Sequence, residues 1–215
     1  MNSLPVIVIP KQYVAIKPTD ILLFLAGPVR GGKDWQHQCI KAFIEGATFF
    51  WTDTLREKVF GRLKIIVPCR WGKEHHLAAH FATTYEEVTS GSDYQVSQTA
   101  MERFYLSAAI NQGNGSRIVF GLFEEDEENP RPKDEGPYAQ DTYGEIGRWS
   151  VVANYTDSPC VRIGYQANFP RVKTIKRNLL NDWRSSWHHH VFEVDDASAL
   201  GCRIALDMER EVSRF

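Results

Sequence analysis

Short apolar runs alternate along the chain with longer segments whose apolar residues follow a helical period. Continuous apolar runs bounded by turn residues are typical of parallel strands that are buried on both faces. Such runs predict strands at residues 21–27 (ILLFLAG), 64–69, 117–123 and 160–165. We also expect an edge strand within residues 4–17, which contain two prolines, and a short strand at residues 191–194.

The segments between these runs show the spacing of amphipathic helices. Apolar side chains recur there on one helical face, and Asp34 is placed to cap the first helix. Residues 75–88 show only a partial helical spacing. The predicted helices cover residues 35–46, 94–110, 141–154, 172–186 and 197–215.

Strands that alternate with helices favour a doubly wound, flavodoxin-like α/β fold. We therefore expect a mostly parallel sheet with helices on both faces, in a single domain over residues 1–215. Residues 1–19 are expected to form an N-terminal extension and residues 170–215 a C-terminal one. Ligands bind at the carboxyl ends of the strands in such folds, which draws attention to the loops after residues 21–27 and 117–123.

The composition narrows the classes of partner. The 215 residues, of which 43% are hydrophobic and 24% charged, are typical of one globular domain. A formal net charge of −2 predicts no binding to nucleic acid or to an anionic membrane, and no apolar run approaches the ~20 residues of a membrane span. Four widely spaced cysteines without a C-x-x-C pair, and an N-terminus unlike a signal peptide, predict reduced thiols and a cytoplasmic protein.

The segment LAGPVRGGKDW contains the first candidate site, which we call the glycine loop (residues 27–33). Gly27, Gly31 and Gly32 allow the backbone to approach a ligand closely, and Arg30 suits a phosphate or a carboxylate. The loop is neither a Walker loop nor a G-x-G-x-x-G fingerprint. A tight structural turn and a loop that holds a polar ligand are both open interpretations.

The segment DTYGEIGRW, residues 141–149, contains the second candidate site. Asp141 and Glu145 lie four residues apart and therefore share one face of a helix. An ionised carboxylate can attack an anomeric carbon, and a second one can position a hydroxyl or handle a proton. Gly144 and Gly147 flank Glu145 at a cost in helix propensity, which predicts that something approaches the helix closely there. A solvated helix start is the alternative.

Several short motifs occur in a fixed order along the chain. LFLAGP near the start, Q-x-x-M-E-R-x-x-L on a middle helix, a strand, an acidic proline-bearing loop and Y-G-E-I-G-R-W follow one another over residues 20–165. In this order the motifs resemble the nucleoside 2-deoxyribosyltransferase family. The resemblance covers roughly residues 20–165 and leaves both extensions outside.

The resemblance implies an enzyme that acts on the N-glycosidic bond of a nucleoside or nucleotide. Glu145 would be the nucleophile that attacks C1′ and forms a glycosyl-enzyme intermediate, with Asp141 near the sugar or the base. Gly27 and Pro28 would line the pocket. The family implies a homo-oligomer and requires no metal and no organic cofactor. Further substrate contacts are expected from Glu102 and Tyr143.

The chain departs from the family pattern at two places and points to a second family at another. Many members carry an aspartate before the third strand, where this chain has Arg117, and a W-E pair where this chain has Met101 before its glutamate. The segment PVRGGKDW is similar to the S-I-R-G-G-R loop that holds phosphate in deoxynucleoside-monophosphate N-glycosidases. That similarity implies a nucleotide substrate whose phosphate lies at Arg30, Gly31 and Gly32.

Two other functions fit the same architecture. One is an enzyme that cleaves NAD or a nucleotide signal, again with a glutamate at the ribosyl carbon. The other is a module that binds a nucleotide without turning it over. The sequence leaves open the base, the sugar, and the choice between transfer to a second base and hydrolysis.

The remaining features have a structural and a functional interpretation. Residues 124–137, which we call the acidic loop, predict a solvated surface loop, with an active-site flap as the alternative. Histidines with an H-x-x-x-H spacing can bind zinc, but no third ligand is identifiable, so they are expected at the surface or at the edge of the core. The tryptophans are expected in the core, although one could stack on a base. The histidines are His75, His76, His80 and His188–His190, and the tryptophans are Trp35, Trp71 and Trp149.

Overall fold

The computed structural model describes residues 4–10, 12–69, 71, 74–82, 86–87, 94–155, 160–180 and 190–212. Within these ranges the chain forms one six-stranded sheet, covered by helices on both faces, and a separate pair of short strands. The predicted α/β fold class is therefore confirmed. No helix in these ranges is long and apolar enough to cross a membrane.

The larger sheet is parallel throughout. Its strands are β1 (Val6–Val8), β3 (Ile21–Ala26), β4 (Leu63–Ile66), β6 (Arg117–Leu122), β7 (Val161–Tyr165) and β8 (Val191–Glu193). They are arranged in the order β1-β4-β3-β6-β7-β8. Without β1, this is the flavodoxin-like order 2-1-3-4-5. The small antiparallel pair consists of β2 (Gln12–Tyr13) and β5 (Glu86–Glu87).

Six helices flank the larger sheet in the described part of the chain. They are α1 (Trp35–Phe50), α2 (Asp53–Phe60), α3 (Tyr94–Gln112), α4 (Gln140–Tyr155), α5 (Val172–Leu180) and α6 (Ala197–Val212). The side chain of Asp34 accepts a hydrogen bond from the backbone N–H of His37, so the predicted cap of α1 is confirmed.

The alternation of side chains along β3 divides the core into two layers. Leu23 and Leu25 pack with α1, α2 and α6 on one face of the sheet. Leu22 and Phe24 pack with α3, α4 and α5 on the other. Both segments predicted as extensions contribute to this arrangement, since they supply β1, β8 and α6, and α6 packs along α1.

The structure differs from the sequence prediction in three segments. The helix α2 was not predicted, because its eight residues bury only Val59 and Phe60 and therefore show no clear period. Where the sequence shows only a partial helical spacing, the chain forms a single 3-10 turn at Ala78–His80 and then joins the edge of the sheet, where Phe81 bridges to β1. The N-terminal segment contains β1 and β2 rather than one strand. The predicted residues 181–186 and 213–215 lie outside the described ranges.

The ligand-binding end of the sheet is defined by β3 and β6. These neighbouring strands are connected to helices on opposite faces, because α1 follows β3 on one side and α4 follows β6 on the other. A crevice opens at such a point in doubly wound sheets. The glycine loop and the acidic loop both start at this crevice.

A tight contact at the crevice explains two of the glycines. The indole of Trp35 lies directly against the backbone of Gly27 and Gly121. A Cβ atom on Gly121 would lie 2.5 Å from Cζ3 of that indole, and one on Gly27 would lie 2.4 Å from the carbonyl oxygen of Gly121. No side chain fits at either position, so the ring is held between the two strands and α1.

Replacing Gly121 by Ala should lower the free energy of unfolding by about 1–3 kcal/mol, because the added methyl group overlaps the indole. Replacing Gly147 by Ala, where no described atom lies within 4 Å of the new Cβ, should raise it by about 0.5–1 kcal/mol. Urea denaturation measures both changes. If Gly121→Ala left the free energy of unfolding unchanged, Trp35 would have to be free to move.

Candidate functional site

A cavity of about 400 Å³ lies at the carboxyl ends of β3, β4 and β6. This volume falls within the ordinary range for small-molecule sites. The cavity is bounded by the glycine loop, the acidic loop, the middle of α3 and the first turns of α4. Its lining residues are Gly27, Pro28, Val29, Arg30, Pro68, Thr99, Glu102, Arg131, Ala139, Asp141, Thr142 and Glu145.

The shape of the glycine loop is set by the start of α1. The indole N–H of Trp35 donates a hydrogen bond to the carbonyl oxygen of Pro28 at 3.1 Å. The ring itself is buried, with 2% of its surface exposed. A buried hydrogen bond of this kind fixes the loop backbone, so Pro28 and Arg30 are presented to the cavity from a rigid support.

The acidic loop folds back across the glycine loop. Glu125 forms an antiparallel bridge with Gly32, and the backbone N–H of Asp126 donates to the carbonyl oxygen of Gly31 at 2.7 Å. Gly31 has a φ of 74°, and a Cβ there would lie 2.5 Å from the backbone nitrogen of Arg131. The expected solvated loop is thus partly a wall of the cavity, although most of its acidic side chains are exposed.

Arg131 is the side chain that the acidic loop delivers to the cavity. Its two terminal nitrogens each lie 3.2 Å from Oδ2 of Asp141, and Nη2 also donates to the carbonyl oxygen of Glu135 at 2.8 Å. Only 8% of the side chain is exposed, while Nε is buried and has no hydrogen-bond partner among the described residues. Arg131 therefore connects the loop to the first turn of α4.

Arg30 faces the cavity from the glycine loop and is also paired with the acidic loop. Its Nη1 atom lies 2.6 Å from Oε2 of Glu135, and each side chain retains 34% of its exposure. A pair of this exposure contributes little to stability and exchanges partners easily. An anionic ligand can therefore compete with Glu135 for the guanidinium group.

Glu145 is an acid of the cavity whose pKa departs from its ordinary value. Burial raises the pKa of Glu145 to about 7, and the nearby carboxylates of Glu102 and Asp141 raise it as well. A carboxyl group that changes charge near neutral pH inside a ligand-sized cavity is typical of catalytic sites. Asp141, one helical turn earlier, shares its face of α4.

Most of the residues predicted from the sequence meet at this cavity. Gly31 and Gly32 adjoin it through their contacts with the acidic loop. Tyr143 does not reach it, because its hydroxyl donates to the carbonyl oxygen of Pro170 on the opposite side of α4. The sequence analysis missed Arg131, whose only signal was a lone arginine in an acidic segment. The predicted residues that line the cavity are Gly27, Pro28, Arg30, Glu102, Asp141 and Glu145.

Two departures from the family pattern have structural explanations. Arg117 begins β6, at the end of the sheet opposite the cavity, and its guanidinium group lies 2.9 Å from Glu211 of α6. It is buried there as part of a structural ion pair. Met101 is fully buried in the core beneath α3. Neither side chain is in the lining of the cavity.

The described tryptophans and histidines among the candidate residues take part in packing and hydrogen bonds outside the lining of the cavity. Trp35 and Trp149 are buried in the core, while Trp71 stacks on His75 and donates to Asp34 at 3.1 Å. Across the described ranges, no group of three or more histidine, cysteine or acidic side chains is arranged to hold a metal ion. His188 and His189 lie outside those ranges, and the carbonyl oxygen of His190 accepts a hydrogen bond from β7.

The fold and the cavity define a class: a flavodoxin-like α/β protein with an acidic, ligand-sized cavity where its strand order reverses. Compared with known proteins, the chain matches no protein-family profile, no curated sequence and no solved structure. The function of this chain is therefore inferred from the residues and the geometry of the cavity.

The raised pKa of Glu145 has a consequence for stability. Between its ordinary value of 4.5 and about 7, the folded state binds a proton that the unfolded state has lost, so this group destabilises the fold increasingly as pH rises through that window. Glu145→Gln should therefore raise the free energy of unfolding by about 1–3 kcal/mol near pH 8 and have little effect below about pH 4.5.

Urea denaturation across this pH range tests the expectation. Glu45→Gln, at an exposed position on α1, is the matched control and should change stability by no more than about 0.5 kcal/mol at any pH. A gain for Glu145→Gln that is the same at both ends of the range would contradict a shifted pKa.

Proposed function

We propose that this protein cleaves or transfers at the N-glycosidic bond of a (deoxy)nucleoside or its 5′-monophosphate, with Glu145 as the nucleophile. The observation that carries this proposal is the position of Glu145, partly buried in a ligand-sized cavity beside Glu102 and Asp141. The motif order that resembles the nucleoside 2-deoxyribosyltransferase family supports the same assignment.

The proposed reaction proceeds by two displacements. The Glu145 carboxylate forms a bond to C1′ while the bond from C1′ to the base nitrogen breaks, and the base leaves with that electron pair. The base takes up a proton from a side chain or from solvent. A second base or a water molecule then attacks C1′, releases Glu145 and gives up its own proton.

Asp141 and Arg131 act together in this scheme. Asp141 accepts both terminal N–H groups of Arg131, which holds its carboxylate at the mouth of the cavity. A fixed carboxylate can accept a hydrogen bond from a sugar hydroxyl and so position C1′ over Glu145. Because Arg131 belongs to the acidic loop, this ion pair also connects the loop to the helix that carries the nucleophile.

The glycine loop supports a phosphate-bearing substrate. Arg30 is the cation that faces the cavity from this loop, and its present partner is a carboxylate on a partly exposed side chain. A 5′-phosphate offers the same geometry with more charge, so it would displace Glu135. Gly31 and Gly32 would allow the phosphate to approach the backbone.

The four cysteines are free thiols, and Cys39, Cys69 and Cys160 are buried. Burial raises the pKa of the Cys69 thiol to about 12, so it is unreactive at neutral pH. The expectation that most of the thiols are buried is confirmed. Their state supports our proposal of a cytoplasmic protein, since reducing compartments preserve free thiols.

Base release from a panel of nucleosides, deoxynucleosides, their 5′-monophosphates and NAD tests the proposal directly. Glu145→Gln should lower the rate on the accepted substrate on the order of 10³-fold or more, because it removes the nucleophile at nearly constant shape. Arg148→Gln, at an exposed position on the same helix, is the control and should retain activity.

Each outcome of this panel has a distinct meaning. Exchange of the base when a free acceptor base is present identifies a transferase, and its absence identifies a hydrolase. Release of nicotinamide alone would replace our proposal by the NAD-cleaving alternative. Full activity in Glu145→Gln would refute the role of this residue.

The pH dependence of kcat/KM should report the nucleophile. Only the ionised carboxylate attacks, so kcat/KM should rise with pH, reach half its maximum near pH 7 and level off about one unit higher. Glu102→Gln should move the midpoint to lower pH, because it removes a like charge beside Glu145. A rate that falls as pH rises through 7 would instead identify Glu145 as a proton donor.

Substitution of Glu135 tests the phosphate assignment. Glu135→Gln removes the carboxylate that competes for Arg30 but leaves the backbone carbonyl that binds Arg131. We expect KM for a 5′-monophosphate to fall by about twofold to fivefold, while KM for the free nucleoside is unchanged. Equal changes for both substrates would show that the pair does not lie at the phosphate.

A further inference from the structure

A second cavity, of about 760 Å³, lies between α4 and α5 on the side of α4 that faces away from Glu145. It is larger than the first cavity and does not share a lining residue with it. Both volumes fall within the range of small-molecule sites. Its lining residues are Pro137, Tyr138, Gln140, Tyr143, Ile146, Gly147, Ser150, Val151, Pro170, Arg171, Thr174, Ile175 and Asn178.

The two cavities differ in chemistry. Among the residues that the structure describes, the lining of the first contains three carboxylic acids, whereas that of the second contains no carboxylic acid and one charged side chain, Arg171. Most of the remaining lining is aromatic or aliphatic, with Tyr143, Ile146 and Ile175 among its walls. Arg171 is exposed at the edge of this largely apolar lining, where it can pair with the charged group of an anion whose apolar body lies inside the cavity.

Arg171 is held in an uncommon backbone conformation at the mouth of this cavity. Its φ is 58°, in the left-handed region that residues other than glycine seldom adopt. The carbonyl oxygen of Arg171 accepts from the backbone N–H groups of Thr174 at 2.9 Å and Ile175 at 3.3 Å, which closes the first turn of α5. Within the described ranges its guanidinium group forms no ion pair.

The helix α4 forms a wall of this cavity in which Tyr143 is held by a hydrogen bond and the space beside Gly147 is empty of described atoms. The hydroxyl of Tyr143 donates to the carbonyl oxygen of Pro170, next to Arg171, so the ring cannot swing into the cavity. Gly147 lies on the same helix, and no described atom comes within 4 Å of a Cβ built there. This part of the wall therefore leaves room for an occupant of the cavity.

We propose that this second cavity binds a small organic monoanion, an aromatic or acyl carboxylate, whose charged group pairs with Arg171 and whose apolar body lies between Tyr143, Ile146 and Ile175. The occupant contacts the rear face of the helix that carries Glu145. It also contacts Tyr138, whose hydroxyl donates to the carbonyl oxygen of Phe123 at the start of the acidic loop.

Fluorescence titration with 8-anilinonaphthalene-1-sulfonate, an apolar aromatic monoanion, tests the proposal without reference to any activity. We expect one saturable site, from which decanoate displaces the probe at lower concentration than the neutral decan-1-ol. Arg171→Gln keeps the side-chain stem and removes the charge, and should raise the Kd of the probe by about tenfold. Lys173→Ala, at an exposed position outside the lining, should change it by no more than about twofold.

A second pair of variants tests the apolar part of the cavity. Gly147→Trp fills the space next to α4 and should abolish saturable binding of the probe. Gly144→Trp is the matched control, because it also has an open Cβ position on α4 but lies outside the lining, and it should bind as the wild type does.

Two results would overturn the proposal. One is unchanged probe affinity in both Arg171→Gln and Gly147→Trp. The other is a halving of the molar mass of Gly147→Trp in light scattering, because a second copy of this chain would then be the occupant of the cavity.

Discussion

The contact between the Trp35 indole and the backbones of Gly27 and Gly121 positions the candidate site. It lies where the chain leaves β3 for one face of the sheet and β6 for the other, and it admits no side chain at either glycine. The same indole binds the carbonyl oxygen of Pro28. A core residue thus fixes the first wall of the cavity, and the acidic loop pairs with that wall.

Acidic and basic side chains together determine the chemistry of the cavity. Three carboxylic acids and two arginines meet there, and each arginine is paired with an acid that reaches it from the acidic loop or from α4. Burial and the neighbouring carboxylates raise the pKa of Glu145 to about 7. Keeping an ionisable group in such a place costs stability, and proteins accept that cost chiefly where the group has a function.

The layout of the sheet and the two motif segments could be predicted from the sequence, because buried strands produce continuous apolar runs. The helix α2 and the strand pair β2–β5 could not, since they are too short to show a period. Asp141 and Glu145 were correctly placed on one face by their spacing of four. The same geometry argues against Tyr143, because a residue two positions before Glu145 points about 200° away on an α-helix.

Arg131 illustrates a different limit. The acidic loop contains no hydrophobic period, so its path depends on a backbone bridge with Gly32 and on the close approach of Arg131 to the backbone of Gly31. Neither feature is visible as a pattern of residue types. The second cavity also depends on tertiary structure, since residues of α4 and α5 line it together with the segments that precede each helix.

The configuration at C1′ of the product is the most direct test of Glu145 as a nucleophile. With methanol as a competing acceptor, nuclear magnetic resonance can identify the anomer of the methyl glycoside as it forms. Two successive displacements through a glycosyl-enzyme intermediate predict retention of the substrate's configuration. Inversion would mean that the acceptor attacks the sugar directly, and it would contradict the nucleophilic role of Glu145.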